Sequence, residues 1–323
     1  MSDRWNRLVA FLNAEEDARP QALVRILTGL TIVAHLSRFV LSGAADFALM
    51  HQENGGLSLW HGWLEPLGGA TPSLVHALCG LTVVAAACAT VGLRTRPALV
   101  VTWLGVRAIS SLNPSARGSY DSLLVDTLFV LLLSGCGRAW SLDAAWRGEG
   151  GPAKRWTRVL LVVQLALVYT GSGLSKASSS WVPGGDASAL WYILQQPTWS
   201  RIGELPLWAY PVTQAATTLT WLFEIAGVLF LFAVLLDESE PRGRGLAALR
   251  RGLARIRFVE VYLAFGLALH LGIELTMEVG PFSFATLALY PAALGPTRIG
   301  RIARAIRARA RRSAPHPSKY EAT

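Results

Sequence analysis

A single lysine stands in a polar segment that interrupts a long apolar stretch. The segment runs from Tyr169 to Asp186, is rich in glycine and serine, and contains Lys176. Only three of the 30 basic residues are lysines, so the presence of lysine rather than arginine here is informative. A lysine that loses contact with water can lose its proton and act as a base, whereas an arginine stays charged. The alternative is an anchor whose ammonium group extends from a helix end to the membrane surface.

Other ionisable side chains lie within apolar stretches, where charge is costly and usually faces the interior of a helix bundle. They are Arg107, Asp121, Asp126, Glu224, Glu260, His270 and Glu274. We expect several of them, with Lys176, to form a polar cluster open to the exterior, and Arg107 to pair with Asp121. The alternative is a set of buried ion pairs that fix the packing of the helices.

His270 and Glu274 are four positions apart, so both side chains lie on one face of a helix. A carboxylate beside an imidazole orients the ring and raises its basicity. As a metal site the pair would supply two ligands, whereas catalytic zinc sites usually have three from the protein. We therefore expect a hydrogen-bonded structural pair and no metal site.

The elements that position these residues are predicted by recurring apolar stretches of about 20 residues, which are typical of membrane-spanning helices. The chain is 52% hydrophobic and 16% charged, compared with about 25% charged in soluble proteins. We predict an all-α, polytopic helical membrane protein with about eight transmembrane helices and, after the fifth, an interfacial helix at 186–196. The predicted spans are 22–41, 73–93, 97–112, 122–134, 159–173, 212–236, 258–276 and 282–294.

The distribution of charge predicts the orientation in a cell membrane. Most basic residues lie in alternate loops and in the tail, which places those loops and both termini in the cytosol. The net charge of +9 is then explained by contact with anionic lipid headgroups, and no nucleic-acid partner is expected. The predicted organisation is a cytosolic segment at 1–21, a transmembrane domain at 22–296, and a basic amphipathic tail at 297–323.

Short motifs along most of the chain resemble a known family. They are Asp17-x-Arg19-Pro20, Gly118-x-x-Asp121, Cys136-Gly137-Arg138, Gly173-x-x-Lys176, Ser180-Trp181-x-x-Gly184 and His270-Leu271-Gly272. In this order they resemble the HTTM (horizontally transferred transmembrane) domain, the membrane part of vitamin K-dependent γ-carboxylases.

The resemblance implies an enzyme that acts with a reduced, vitamin K-like quinone. Lys176 matches the lysine taken to deprotonate that quinone, and proton abstraction with carboxylation (a lyase reaction) or oxygenation would follow at the outer leaflet. Arg107, Asp121 and His270 would assist catalysis, and Tyr169, Trp181, Glu224 and Glu274 would bind the cofactor. A peptide or secreted protein would be the substrate. The carboxylases also use a histidine ahead of the fourth span, whereas residues 113–120 contain none.

A second function stays open from the sequence. The chain could be a non-catalytic membrane factor that binds lipid or peptide and assists the maturation of a secreted partner. Lys176 would then be an interfacial anchor, and arginine would serve there nearly as well.

Overall fold

The computed structural model describes residues 3–148, 150–240 and 243–313. Its helices in the first half of the chain are α1 (Asp3–Asn13), α2 (Arg19–Leu41), α3 (Ala44–Leu49), α4 (Pro72–Val91), α5 (Thr95–Leu112), α6 (Ser119–Leu133) and α7 (Leu142–Arg147). Those in the second half are α8 (Arg155–Ser175), α9 (Ala189–Leu194), α10 (Tyr210–Ile225), α11 (Gly227–Glu238), α12 (Arg244–Arg255), α13 (Phe258–Thr276), α14 (Phe282–Leu287) and α15 (Tyr290–Ser313).

Strands contribute very little to the described part of the chain. Two three-residue strands, β1 (Glu15–Asp17) and β2 (Pro152–Lys154), form one antiparallel pair in which Glu16 lies opposite Ala153. Short 3₁₀ helices occupy connections at Gln52–Asn54, Gly62–Leu67, Pro114–Ala116, Cys136–Arg138 and Leu207–Ala209. The prediction of an all-α protein is therefore confirmed.

Four helices are long and apolar enough to cross a membrane: α2, α4, α8 and α13. A fifth span arises if α10 and α11 are counted together across a 46° bend. The helices that cover the predicted third and fourth spans, α5 and α6, have 18 and 15 residues and do not qualify. The chain is thus a helical, multi-pass membrane protein by length and composition, and the count of eight spans stays a prediction.

Three polar segments differ from the sequence-based expectation. The predicted interfacial helix forms only over the six residues of α9, which follows Ala187 in the left-handed region at φ 47°. Residues 244–255, expected to be a loop, form the amphipathic helix α12. In the predicted tail, the residues of α15 after Gly295 are helical, and the non-helical Gly295 separates them from the short apolar helical stretch that begins at Tyr290; residues 314–323 lie outside the described part.

Helix α8 runs through the centre of the bundle, where it contacts α6, α10, α11 and α15. One face of it consists of buried aliphatic side chains, including Leu161, Leu165 and Ala166. Because α8 carries Arg158 in its first turn and Lys176 directly after its last residue, its two ends hold two separate charged clusters.

At the N-terminal end of α8, each of the three guanidinium nitrogens of Arg158 has an acceptor among the described residues. Arg158 is 1% exposed and donates to Glu16 Oε1 (2.6 Å) and Oε2 (3.0 Å), to Glu238 Oε2 (2.6 Å) and to the Ala292 carbonyl (3.0 Å). The small sheet of β1 and β2 brings Glu16 to this position. These bonds join the chain before α2 to α8, α11 and α15.

A second set of hydrogen bonds pairs backbone groups at the end of α4 and at the start of α5 with buried or partly buried side chains. Buried Arg25 donates to the carbonyls of Ala89 (2.6 Å) and Trp140 (2.6 Å), so it does not extend to the surface. Asp143 accepts N–H bonds from Arg94 (2.9 Å) and Thr95 (2.7 Å) at the start of α5. Burial raises the pKa of Asp143, but these donors outweigh it and leave that pKa below its ordinary value.

Arg158→Gln is expected to destabilise the protein sharply, by roughly 3–5 kcal/mol, because it leaves Glu16 and Glu238 without their buried cation. The matched control is Arg155→Gln, since Arg155 is 22% exposed and lies 3.4 Å from the same Glu16. Its contact with Glu16 is longer and more exposed than those of Arg158, so losing it should cost less. Thermal unfolding in detergent measures both variants, and equal losses would show that the Arg158 bonds do not hold this end together.

The predicted orientation can be tested by labelling single cysteines in intact cells with a membrane-impermeant thiol reagent. Asn54, Ser179 and Ala248 are exposed and lie in loops or helices on the two expected sides. With the native Cys79, Cys88 and Cys136 replaced, cysteine at Asn54 or Ser179 should react in intact cells, and cysteine at Ala248 only after lysis. Reaction at Ala248 in intact cells, with protection at Ser179, would reverse the orientation.

Candidate functional site

Lys176 lies where α8 ends and the polar segment begins. Its φ of −95° and ψ of 22° leave the helical region, and its backbone N–H still bonds to the Gly173 carbonyl at 3.3 Å. A turn follows, in which the Trp181 N–H donates to the Ser178 carbonyl at 3.0 Å. This turn brings the Trp181 ring back over the lysine, with Nζ 4.9 Å from the ring centroid, within the range of a cation–π interaction.

The Lys176 ammonium group forms an ion pair with Glu224 of α10. Nζ lies 2.5 Å from Glu224 Oε1 and 2.8 Å from Ser172 Oγ, and the Ser172 hydroxyl donates to the same carboxylate oxygen at 3.0 Å. The Lys176 side chain is 25% exposed and that of Glu224 is 9% exposed. The pair is therefore shielded on the α10 side and open on the lysine side.

The second carboxylate oxygen of Glu224 has no partner. Oε2 is buried, and no donor among the described residues reaches it. An unsatisfied buried acceptor costs about 1–3 kcal/mol, more for a charged group, so such an atom calls for an explanation. A ligand hydroxyl that donates to Oε2 would supply it.

Glycines allow α8 to approach α10 and α11 closely enough for this pair to form. A Cβ at Gly173 would lie 2.9 Å from the Ile225 backbone nitrogen, and one at Gly227 would lie 2.9 Å from the Ala166 carbonyl oxygen. The Trp221 indole N–H donates to the Gly173 carbonyl at 3.1 Å, which satisfies an acceptor in the last turn of α8. Backbone contact thus fixes the distance between Lys176 and Glu224.

A second polar group lies deeper on the same face of α8. Tyr169 is seven residues, or about two turns, before Lys176. Its hydroxyl lies 2.9 Å from His270 Nε2 and 2.7 Å from the Tyr290 hydroxyl, and all three side chains are buried. The Tyr169 ring packs edge-on against Phe223, the neighbour of Glu224 in sequence, at 4.7 Å between centroids.

The predicted pair of His270 and Glu274 is wrong. His270 bonds to Tyr169, and its buried Nδ1 atom has no partner in the described residues. Glu274 instead lies 3.6 Å from Arg201, whose guanidinium also bonds to Glu278 at 2.7 Å. His270 faces the buried Tyr169 hydroxyl inside the bundle, whereas Glu274 is one turn nearer the helix end and meets the loop that carries Arg201.

The predicted pair of Arg107 and Asp121 is also wrong. Asp121 accepts bonds from the Ser110 hydroxyl (3.0 Å) and the Gly118 N–H (2.8 Å), so it caps the start of α6. Arg107 is exposed and forms no ion pair with any described residue. Its spacing to the Asn113 break does not fix the helix face on which it lies, and Ser110 rather than Arg107 faces Asp121. Neither residue lies in the Lys176 cluster.

Of the eight predicted site residues, the structure therefore brings together Lys176, Glu224 and Trp181. Tyr169 and His270 form the adjacent buried group, while Arg107, Asp121 and Glu274 lie elsewhere. Ser172 and Tyr290 were missed. Ser172 is one turn before Lys176, so helical spacing could have found it, whereas no local signal connects Tyr290 with Tyr169.

The family model of the HTTM domain matches residues 13–236. The chain belongs to the HTTM domain family. No curated protein and no solved structure matches it.

The HTTM match contains both members of the ion pair, together with Ser172, Trp181 and the glycines that set their distance. The predicted transmembrane domain ran further, to residue 296. His270 and Tyr290 lie beyond the matched HTTM region and complete the deeper group from α13 and α15.

Gly173→Ala should push α8 away from Ile225 and weaken the Lys176–Glu224 pair, so we expect a lower melting temperature. Gly171→Ala is the matched control, because a Cβ there meets nothing within 4 Å. Alanine stabilises a helix by about 1 kcal/mol relative to glycine, so the control should melt at the same temperature or higher. Thermal unfolding in detergent compares the two, and parallel behaviour would contradict close packing at Gly173.

Proposed function

We propose that the Lys176–Glu224 pair accepts a proton from an acidic hydroxyl group of a reduced quinone at the outer leaflet of the cell membrane. The observation that carries the proposal is the buried, unpartnered Oε2 of Glu224, next to an oxygen that already holds the lysine. A lysine acting only as a surface anchor would need neither Glu224 nor the Ser172 bond.

The residues at this site fit a quinol. Glu224 Oε2 would accept the hydroxyl bond that it lacks, and Trp181 would offer an aromatic face beside Nζ. When bound, a reduced quinone would supply, on reaction with oxygen, a base strong enough to remove a carbon-bound proton from the side chain of a peptide glutamate. A peptide or secreted protein as the substrate is part of the same proposal.

The chain's own contribution is to hold a proton. With water excluded by a bound ligand, an ion pair is costly, and the form with neutral Nζ and protonated Glu224 becomes accessible. In that form the Lys176 nitrogen has a free lone pair and can accept a proton. Ser172 keeps Nζ directed at Glu224, since its hydroxyl bonds to both.

A second candidate function, a non-catalytic lipid-binding factor, is favoured by a separate cavity. A cavity of about 670 Å³ lies between α2 and α13–α14, with apolar walls that include Leu27, Leu30 and Phe284. Its charged rim contains Arg38 and Glu278, whose side chains lie 3.8 Å apart. Apolar walls and a charged rim suit one lipid. Anionic headgroups would also meet the arginines of α12 on the cytosolic side.

Purification in mild detergent, followed by mass spectrometry of the extracted lipids, tests the quinone. The wild-type protein should retain a quinone, and Glu224→Leu should retain about tenfold less, because a hydrogen bond to a charged group contributes roughly 1.5–3 kcal/mol. Lys176→Arg should keep the quinone yet fail to complement a deletion strain, and Lys154→Arg is the control at an exposed lysine.

Two outcomes separate the candidates. Full complementation by Lys176→Arg would reduce Lys176 to an anchor. The lipid-binding factor would be favoured if the wild-type protein co-purifies with phospholipid and no quinone. In that case Phe284→Asp should lose the phospholipid and Glu224→Leu should keep it.

A further inference from the structure

Two histidines and a glutamate come together in the loop that joins α3 to α4. The rings of His51 and His61 lie 4.0 Å apart between centroids, at an angle of 31°. The Glu53 carboxylate lies 3.4 Å from His51 Nδ1. We propose that this loop binds a divalent transition-metal ion of the zinc class through His51, Glu53 and His61.

The distances suit a metal site with little rearrangement. One ligand atom from each of the three side chains lies within 4.8 Å of the other two. Around a tetrahedral zinc ion with bonds of about 2.0–2.2 Å, ligand atoms are roughly 3.3–3.6 Å apart. Closing the site therefore takes movements of roughly an ångström, and the Glu53 side chain, at 76% exposure, is free to make the largest one.

The backbone that carries the histidines is held firmly. The Ser58 hydroxyl donates to the Leu112 carbonyl at 2.5 Å, and the His51 N–H donates to the Ala70 carbonyl at 3.1 Å. The loop is thus fixed both to α5 and across its own base. Gly69 leaves room for the His61 ring, because a Cβ there would lie 2.6 Å from His61 Nδ1.

The Nδ1 lone pair of each histidine is held by one long backbone hydrogen bond in this arrangement. His51 Nδ1 accepts the Glu53 N–H at 3.3 Å, and His61 Nδ1 accepts the Ala70 N–H at 3.2 Å. At 3.3 Å and 3.2 Å both bonds lie at or just beyond the long end of the usual hydrogen-bond range, so a metal that displaced them would replace weak contacts. Neutral imidazole is the form that binds metals.

The donor set selects the class of ion. Imidazole suits zinc, copper and nickel, whereas calcium and magnesium prefer sites made only of oxygen ligands. Two histidines and one carboxylate leave one position of a tetrahedral ion for water. The site shares no residue with the Lys176 pair, so its failure would leave the proposed function intact.

Metal binding can be measured by isothermal titration of the whole, EDTA-treated protein with ZnCl₂, purified through a tag without histidine. We expect one ion per chain and a melting temperature that rises with zinc but not with CaCl₂. His61→Ala should lower the affinity at least about a hundredfold, and Glu53→Gln about tenfold; the exposed Glu53 makes the second variant safe for folding.

The matched control is His76→Ala. His76 is an exposed histidine that lies 2.6 Å from Asp46 and offers only one histidine and one carboxylate. The His76→Ala protein should bind zinc with the affinity of the wild type. Equal zinc affinity in His61→Ala and the wild type, an equal loss in His76→Ala, or equal stabilisation by CaCl₂ would each overturn the proposed site.

Discussion

The close approach of α8 to α10 and α11 is the constraint on which the rest of the bundle depends. Gly173 and Gly227 let backbone meet backbone at about the distance where a Cβ would collide. In a membrane, small residues at helix interfaces allow this approach, and dispersion forces replace the hydrophobic effect as its cause. Because the helices are in rigid contact, Lys176 and Glu224 are positioned by the backbone, and little further ordering of their side chains is needed.

The charged side chains at the two ends of α8 differ in how completely they are paired. At the N-terminal end, Arg158 is enclosed and every donor in its described contacts is directed at Glu16, Glu238 or a carbonyl. At the C-terminal end, the Lys176 side chain is partly exposed, and one oxygen of Glu224 has no donor among the described residues. A fully paired cluster stabilises a fold, whereas an incomplete one leaves room for a ligand. This contrast supports the proposal that Lys176, rather than Arg158, takes part in chemistry.

The sequence predicted the features that depend on neighbouring residues, namely the positions of the apolar helices and of the polar segment between them. Apolar stretches located α2, α4, α8 and α13, and the glycine- and serine-rich break located Lys176 and Trp181 in one polar segment. The sequence did not predict which side chains pair between helices. Arg107 was expected to pair with Asp121 because the two are close along the chain, yet Ser110 bonds to Asp121 instead. Tyr290 joins Tyr169 from 121 residues away. Likewise, Glu224 was recognised as a buried charge, but only packing at Gly173 shows that Lys176 is its partner.

The central claim is that Lys176 and Glu224 together take a proton from a bound aromatic hydroxyl. The most direct measurement is the absorption spectrum of a naphthol bound to the purified protein, because the neutral and ionised ground states absorb at different wavelengths. The account predicts that naphthol bound to the wild type is ionised at a pH where free naphthol is neutral, and that naphthol bound to Lys176→Met stays neutral. Bound naphthol that is neutral in the wild type, or equally ionised in Lys176→Met, would contradict it.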